Sequence, residues 1–234
     1  MKTESSILKK FEKNIAKSPK LDNILSLFKS VLELSRIGSP FSTLISEFIP
    51  TRRFLRLETF ALELSNEFKQ IEEKIDLDYI TTDEFAFLFE QCFKAASENY
   101  QEEKISAFKA IIINSSTNKA LIPEEKEFYL NLTKQLTVLH IQILIFLHDT
   151  HTYLNKLRIS ENQVQGGFNT FLPVIFPKVE FDTVRIVVDD LNNYGLTSLK
   201  SNQFGVMTVS SGLQLLGDKR TTSFGEKYIE FITL

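Results

Sequence analysis

The chain has no tryptophan, one cysteine, eight glycines and six prolines among 234 residues. Each shortage excludes something. A lone cysteine, Cys92, rules out an internal disulfide and fits a reducing compartment. So few breakers, beside 21 phenylalanines, favour long helices packed by aromatic rings over a loop-rich or all-β fold. No apolar run reaches the roughly 20 residues of a membrane-crossing helix. Met1 to Lys20 lacks the continuous apolar core of a signal peptide, so a cytoplasmic location is expected, with peripheral membrane contact left open. The net charge of −3 is too small to specify a partner. No HExxH, nucleophile-elbow or Walker signature occurs, so neither enzymatic activity nor a cofactor is expected.

What is present is helical patterning. The stretch Pro123 to Asp149 begins with proline and three glutamates, a helix start that suits the positive end of the helix dipole. Between Lys134 and Asp149 no charged side chain appears if histidine is neutral, and the apolar residues fall on every side. Such a helix must be wrapped by other elements. The spacing predicts one central buried rod over 123–149.

The helices before it are amphipathic. Ile7, Leu8, Phe11 and Ile15 stripe a short helix that Pro19 ends. Leu21 to Pro50 reads as a helical hairpin, with Ile24, Leu27, Phe28, Val31 and Leu34 striping its first arm, Gly38 at the turn, and Pro50 as the stop of its second arm. Residues 1–50 are therefore also the best candidate for a segment that leaves the body and inserts into a membrane. Phe54, Leu57, Ala61, Leu64, Phe68, Ile71 and Ile75 step alternately by three and four, a seam better paired within the chain than with a second copy. Thr81 and Glu84 suggest a capping box for a helix buried through Phe85, Leu88, Phe89, Cys92 and Ala96. Glu102 to Ser115 makes a further helix.

After Asp149 the texture changes. Ser160 to Asn169 is polar and contains Gly166-Gly167, a loop with no phosphate-binding lysine. Phe171 to Phe176 reads as a short apolar turn, Phe181 to Tyr194 as a helix closed by Gly195, and Leu196 to Thr222 as a β-ribbon. Ser223 and Glu226 suggest a capping box for a last helix. The order of "LTVLHIQILIFLHD", "DDLNNYGL" and "TTSFGEKYIEFI", the last carrying a T-x-x-G-x-x-[FY] run, resembles a winged helix-turn-helix module. The preceding "EFAFLFEQCFKAASENYQEEKISAFKAIIINSS" looks like helices of uncharacterised bacterial proteins, some of whose relatives stand beside abortive-infection or phage-defence functions. The resemblance implies no catalytic residue. The expected fold is mainly α: a helical bundle over 1–122, then a small α+β winged-helix-like module with the central helix over 123–234.

A DNA-reading third helix must approach phosphates. Lys178 to Tyr194 sums to −2, with Asp189-Asp190 facing the wrong way for that task. DNA binding is therefore disfavoured, and a protein partner or self-association is expected. The functional expectation is a regulatory, protein-binding chain of bacterial type, with phage defence implied by the resemblance; a membrane-acting effector and a DNA-binding regulator are the alternatives. Cations placed for an anion or a partner are Arg52, Arg53, Arg56, Lys219 and Arg220. His140, His148 and His151 share nearly one helix face at a spacing metals accept, although histidine near a helix C-terminus is explained by the dipole alone.

Overall fold

The computed structural model describes residues 13, 24, 26, 48–117, 121–160, 167–204 and 219–234, with the side chains of 48–55 outside that description. The described chain is mainly helical and falls into two compact units, Met1–Gln135 with Phe231–Leu234, and Leu136–Glu230. The division follows Gln135 rather than preceding Pro123. The amphipathic helix and most of the hairpin expected over 1–50 lie outside the described residues. Of the hairpin's expected stripe, Ile24 is helical and fully buried.

In the first unit, α1 spans Phe48–Gln70. Pro50 does not stop a helix as the spacing suggests. It sits in the first turn of α1, where a missing N–H breaks no intrahelical bond. The seam is real where described: Ala61, Leu64 and Phe68 are fully buried, and α1 packs on α2 (Asp83–Glu98) and α3 (Glu102–Ser116). The ring-rich composition shows in Phe60 edge-on to Phe93 at 5.8 Å and in the Phe85–Phe89–Phe93 row down α2. The cap of α2 is Thr82, whose hydroxyl accepts from the Phe85 amide at 3.2 Å, one residue later than Thr81. Glu84 is thereby freed to accept from the Tyr79 hydroxyl at 2.6 Å and from Lys126 at 3.4 Å.

Helix α3 is buried on nearly every side, through Ile105, Ala107, Phe108, Ala110, Ile111, Ile112 and Ile113. It packs on α1, α2 and α4 (Pro123–Gln135). Its buried polar ends are bonded across the unit. Lys104 donates to the Lys134 carbonyl at 2.9 Å, and Asn114 donates to the carbonyls of Phe231 and Thr233 at 3.0 and 2.9 Å.

The single rod expected over 123–149 is two helices. Helix α4 ends at Gln135, and α5 runs Val138–His148. The break is a capping event. The Thr137 hydroxyl accepts from the His140 amide, while the His140 ring accepts from the Thr137 amide at 3.3 Å. Only α5 keeps the all-round burial, through Val138, Ile141, Ile143, Leu144, Phe146 and Leu147.

The second unit continues with α6 (Thr150–Leu157), α7 (Phe168–Ile175) and α8 (Phe181–Asn193), and α9 (Ser223–Ile232) begins in it. Helix α6 is an addition to the expected order, capped by the Asp149 carboxylate on the Thr152 amide at 2.9 Å. Helix α7 replaces the expected apolar turn. Phe146 collects the rings of Tyr153, Phe171 and Phe176 about itself. Helix α8 buries Val184, Val188 and Leu191 as its spacing predicts. Gly195 closes it at φ +73°, with Gly195 N–H to Asn192 and Leu196 N–H to Leu191, both 2.9 Å. Of the expected β-ribbon the described residues carry one antiparallel bridge, Thr197 to Thr221, and no strand. Positions 205–218 lie outside those residues.

The T-x-x-G-x-x-[FY] run has a plain geometric reason. Thr222, not Ser223, caps α9 by accepting from the Gly225 amide at 2.9 Å, and its own hydroxyl donates to the Gly195 carbonyl at 2.6 Å. This brings the helix start so close to Leu196 that a Cβ on Gly225 would stand 2.0 Å from the Leu196 carbonyl oxygen. Tyr228 is fully buried one turn on. Gly225→Ala is expected to cost about 2 kcal/mol in urea unfolding, the range of core overpacking. Gly195→Ala, which meets open space but keeps a left-handed backbone, should cost about 1 kcal/mol.

Candidate functional site

The two units hold different kinds of surface. In the first, α2 and α4 lie alongside with Glu84 opposite Lys126 and Gln91 opposite Lys134. Pairs separated by seven and eight residues in the same sense make the two helices run parallel. Toward their C-terminal ends lies a polar cleft of about 280 Å³, lined by Gln91, Lys94, Ala95, Glu98, Asn99 and Lys134. Lys134 is half-buried and donates to the Gln91 side-chain oxygen at 2.8 Å. Burial pushes its ammonium below the ordinary lysine range; the Lys94 charge adds to this, while Glu98 and Glu127 oppose it. Cys92 also faces Lys134, but full burial raises its thiol far above neutrality, so it adds no charge.

The cleft is polar, and its second cation is uncommitted. Lys94 is exposed, and its ammonium makes no hydrogen bond or ion pair to any described residue. Lower down the same helix pair, Lys126 is spent on structure: it pairs with Glu84 and lies 3.7 Å from the centre of the Tyr79 ring. None of the cleft residues was singled out by motif. The available signals were Lys134, the last charge before the apolar run, and Lys94, one of only three lysines in the acidic stretch Glu58 to Glu103.

In the second unit the three histidines do not converge. His140 Nδ1 accepts from the Thr137 amide, which leaves the ring proton on Nε2, and this faces Asp190 at 3.4 Å. His148 meets the Thr221 hydroxyl at 3.2 Å, and His151 is exposed. Among the described residues no group of three His, Cys, Asp or Glu side chains could hold a metal.

The expected anion-binding cations are also placed. Arg56 donates to the Ser97 carbonyl at 3.4 Å, a cation at the negative end of α2. The side chains of Arg52 and Arg53 lie outside the described residues. Lys219 pairs with Glu226 at 3.1 Å. The Arg220 backbone ties Leu147 to Ser198, donating to the former at 2.9 Å and accepting from the latter at 3.0 Å.

Helix α8 carries the most telling surface of this unit. Asp189, pushed up by burial, is pulled further down by the Ser201 amide and hydroxyl and by the charges of Arg185 and Lys200; the net direction is below the usual carboxylate range. Asp190 serves His140. Asp182 pairs with Arg185 at 3.5 Å, and between these neutralised charges and the end of the helix stands Ile186, 63% exposed.

His140 gives a pH prediction. Burial depresses its pKa below 6.5, against the opposing hydrogen bond and charge of Asp190. The unfolded chain then binds the proton more readily. Stability should therefore be full above about pH 6.5, fall as the pH drops through the folded-state pKa, and level off below it. His140→Gln, which keeps a capping side chain at this position, should remove that loss from urea midpoints measured between pH 8 and pH 5.

No single helix among the described residues is long and apolar enough to cross a membrane. Compared with protein-family models, with curated proteins and with solved structures, the chain matches none of them.

Proposed function

We propose that this chain is a non-enzymatic, regulatory protein-binding module, and that its C-terminal unit docks a protein partner through the outward face of α8. The observation that carries the reading is Ile186. A large apolar side chain stands 63% exposed in mid-helix, beside a paired Asp182 and Arg185. An exposed isoleucine gains on burial, and the Asp182–Arg185 pair beside it can remain at the solvated rim of such a contact. The same face argues against nucleic acid. A helix reading duplex DNA needs uncompensated cations toward the phosphates, and here the only arginine is paired. A winged-helix-like form for this unit rests on the sequence resemblance; among the described residues there is the helix order and one bridge, Thr197 to Thr221, with no strand. In that form α8 would hold the place of the third helix, adapted to protein. Phage defence and bacterial origin rest on the sequence resemblance alone, and an intracellular setting on the lone cysteine.

The test uses the full chain with a photoreactive benzoyl-phenylalanine at position 186, and sedimentation velocity across a hundredfold concentration range. Either self-association or one discrete heterologous cross-link is expected, and it should be lost in Arg185→Glu with the melting temperature unchanged, since Arg185 is exposed. Absence of both self-association and a position-specific cross-link would end the proposal. So would salt-dependent binding of duplex DNA at 50 mM salt that Ile186→Glu abolishes.

A further inference from the structure

The cleft between α2 and α4 combines features that a solvated lysine on a helix does not have. Lys134 is half-buried, and among the described residues it donates to the neutral amide oxygen of Gln91, not to a carboxylate. A neutral acceptor holds a neutral amine as well as an ammonium, so this contact orients Nζ without fixing its charge. Beside it stands the exposed ammonium of Lys94, which pairs with no described residue, and the cleft has room, about 280 Å³, for a molecule of a few heavy atoms. Below, the Lys134 carbonyl is held by the buried ammonium of Lys104 at 2.9 Å, which anchors the backbone carrying the amine.

From this geometry we propose that Lys134 is a carbonyl-reactive amine, and that the cleft takes a small oxo acid whose acid group pairs with Lys94 while its carbonyl carbon meets Lys134 Nζ. A desolvated lysine next to another cation is the arrangement that activates an amine toward carbonyl groups. The lone pair of the neutral amine adds to the carbonyl carbon, and the carbonyl oxygen collects the proton that the nitrogen gives up. The carbinolamine then expels that oxygen as water, leaving a C=N bond to Lys134. Nothing is oxidised or reduced. Burial is the largest cause that lowers the pKa of the amine; among the charged groups Lys94 lowers it further, while Glu98 and Glu127 favour the ammonium. Glu98, on the cleft wall, lies in the same cleft as the departing water. This site belongs to the first unit and stands independently of the α8 surface.

The experiment treats the full chain with glyoxylate at pH 7 in the presence of cyanoborohydride, which traps the imine, and follows each lysine by peptide mass spectrometry. Lys134 should be labelled several-fold faster than exposed Lys69 or Lys178, because it is a half-buried amine held in a cleft beside a second cation. Acetaldehyde, which has the carbonyl without the acid, separates the two halves of the claim. Lys94→Gln should slow glyoxylate labelling of Lys134 several-fold and slow acetaldehyde labelling clearly less, since only the lost charge beside the amine acts on the latter. Lys94 is exposed, so the variant should keep the wild-type melting temperature. Labelling of Lys134 at or below the rate of the exposed lysines overturns the proposal. Equal effects of Lys94→Gln on both aldehydes overturn the acid-recognition half.

Discussion

The constraint on which the first unit depends is the desolvation of α3. A helix apolar on every side has no face to give to water, so it is stable only where other elements enclose it. Helices α1, α2 and α4 supply that enclosure. The consequence appears at its ends, where polar groups are carried inside with the helix. Lys104 and Asn114 are both buried, and each must be satisfied by a backbone carbonyl far along the chain. The Lys104 ammonium is pushed down by burial yet bonds the last turn of α4, whose carbonyls have no intrahelical partner. The cost of burying an amine and the need to cap a helix end offset each other.

The second unit solves similar problems with hydroxyls and glycines. Thr137, Asp149 and Thr222 each begin a helix, and Gly195 ends one. The acidic pair Asp189-Asp190, which by sequence looks like a charged surface, is turned to internal tasks by Ser201 and His140. What α8 presents outward is Ile186 among Asp182, Thr183 and Arg185, with Asp189 and Asp190 partly drawn in.

The legible part of the fold is the periodic part. The seam of α1, the buried stripe of α2, the span of α3 and the inner face of α8 follow from spacing, because a 3.6-residue period names its own face. The break between α4 and α5 does not. Thr137 stands as one small polar residue in an apolar run, and its capping partner is His140, where the familiar partner is Glu or Gln. Caps slip by one residue at Thr82 and Thr222 because two hydroxyls or a hydroxyl pair sit side by side, and only the backbone turn selects between them. Helix α7 was hidden by Pro173, which reads as a breaker but is carried inside an eight-residue helix. The cleft was not legible, since Gln91, Lys94 and Lys134 come from two helices whose parallel register no local pattern reveals. The spacing groups the three histidines on one rod; Asp149 ends α5 and starts α6, which removes His151, while His140 and His148, both on α5, are turned to Asp190 and Thr221.

Cys92 lies in the inner row of α2, with no accessible surface and a thiol that burial keeps protonated. Being the chain's sole sulfhydryl, it is a native stopwatch for the opening of this helix. An added disulfide reagent can react only in the fraction of time that α2 has lifted from its neighbours. The rate would then measure the free energy of that local excursion, without any introduced label.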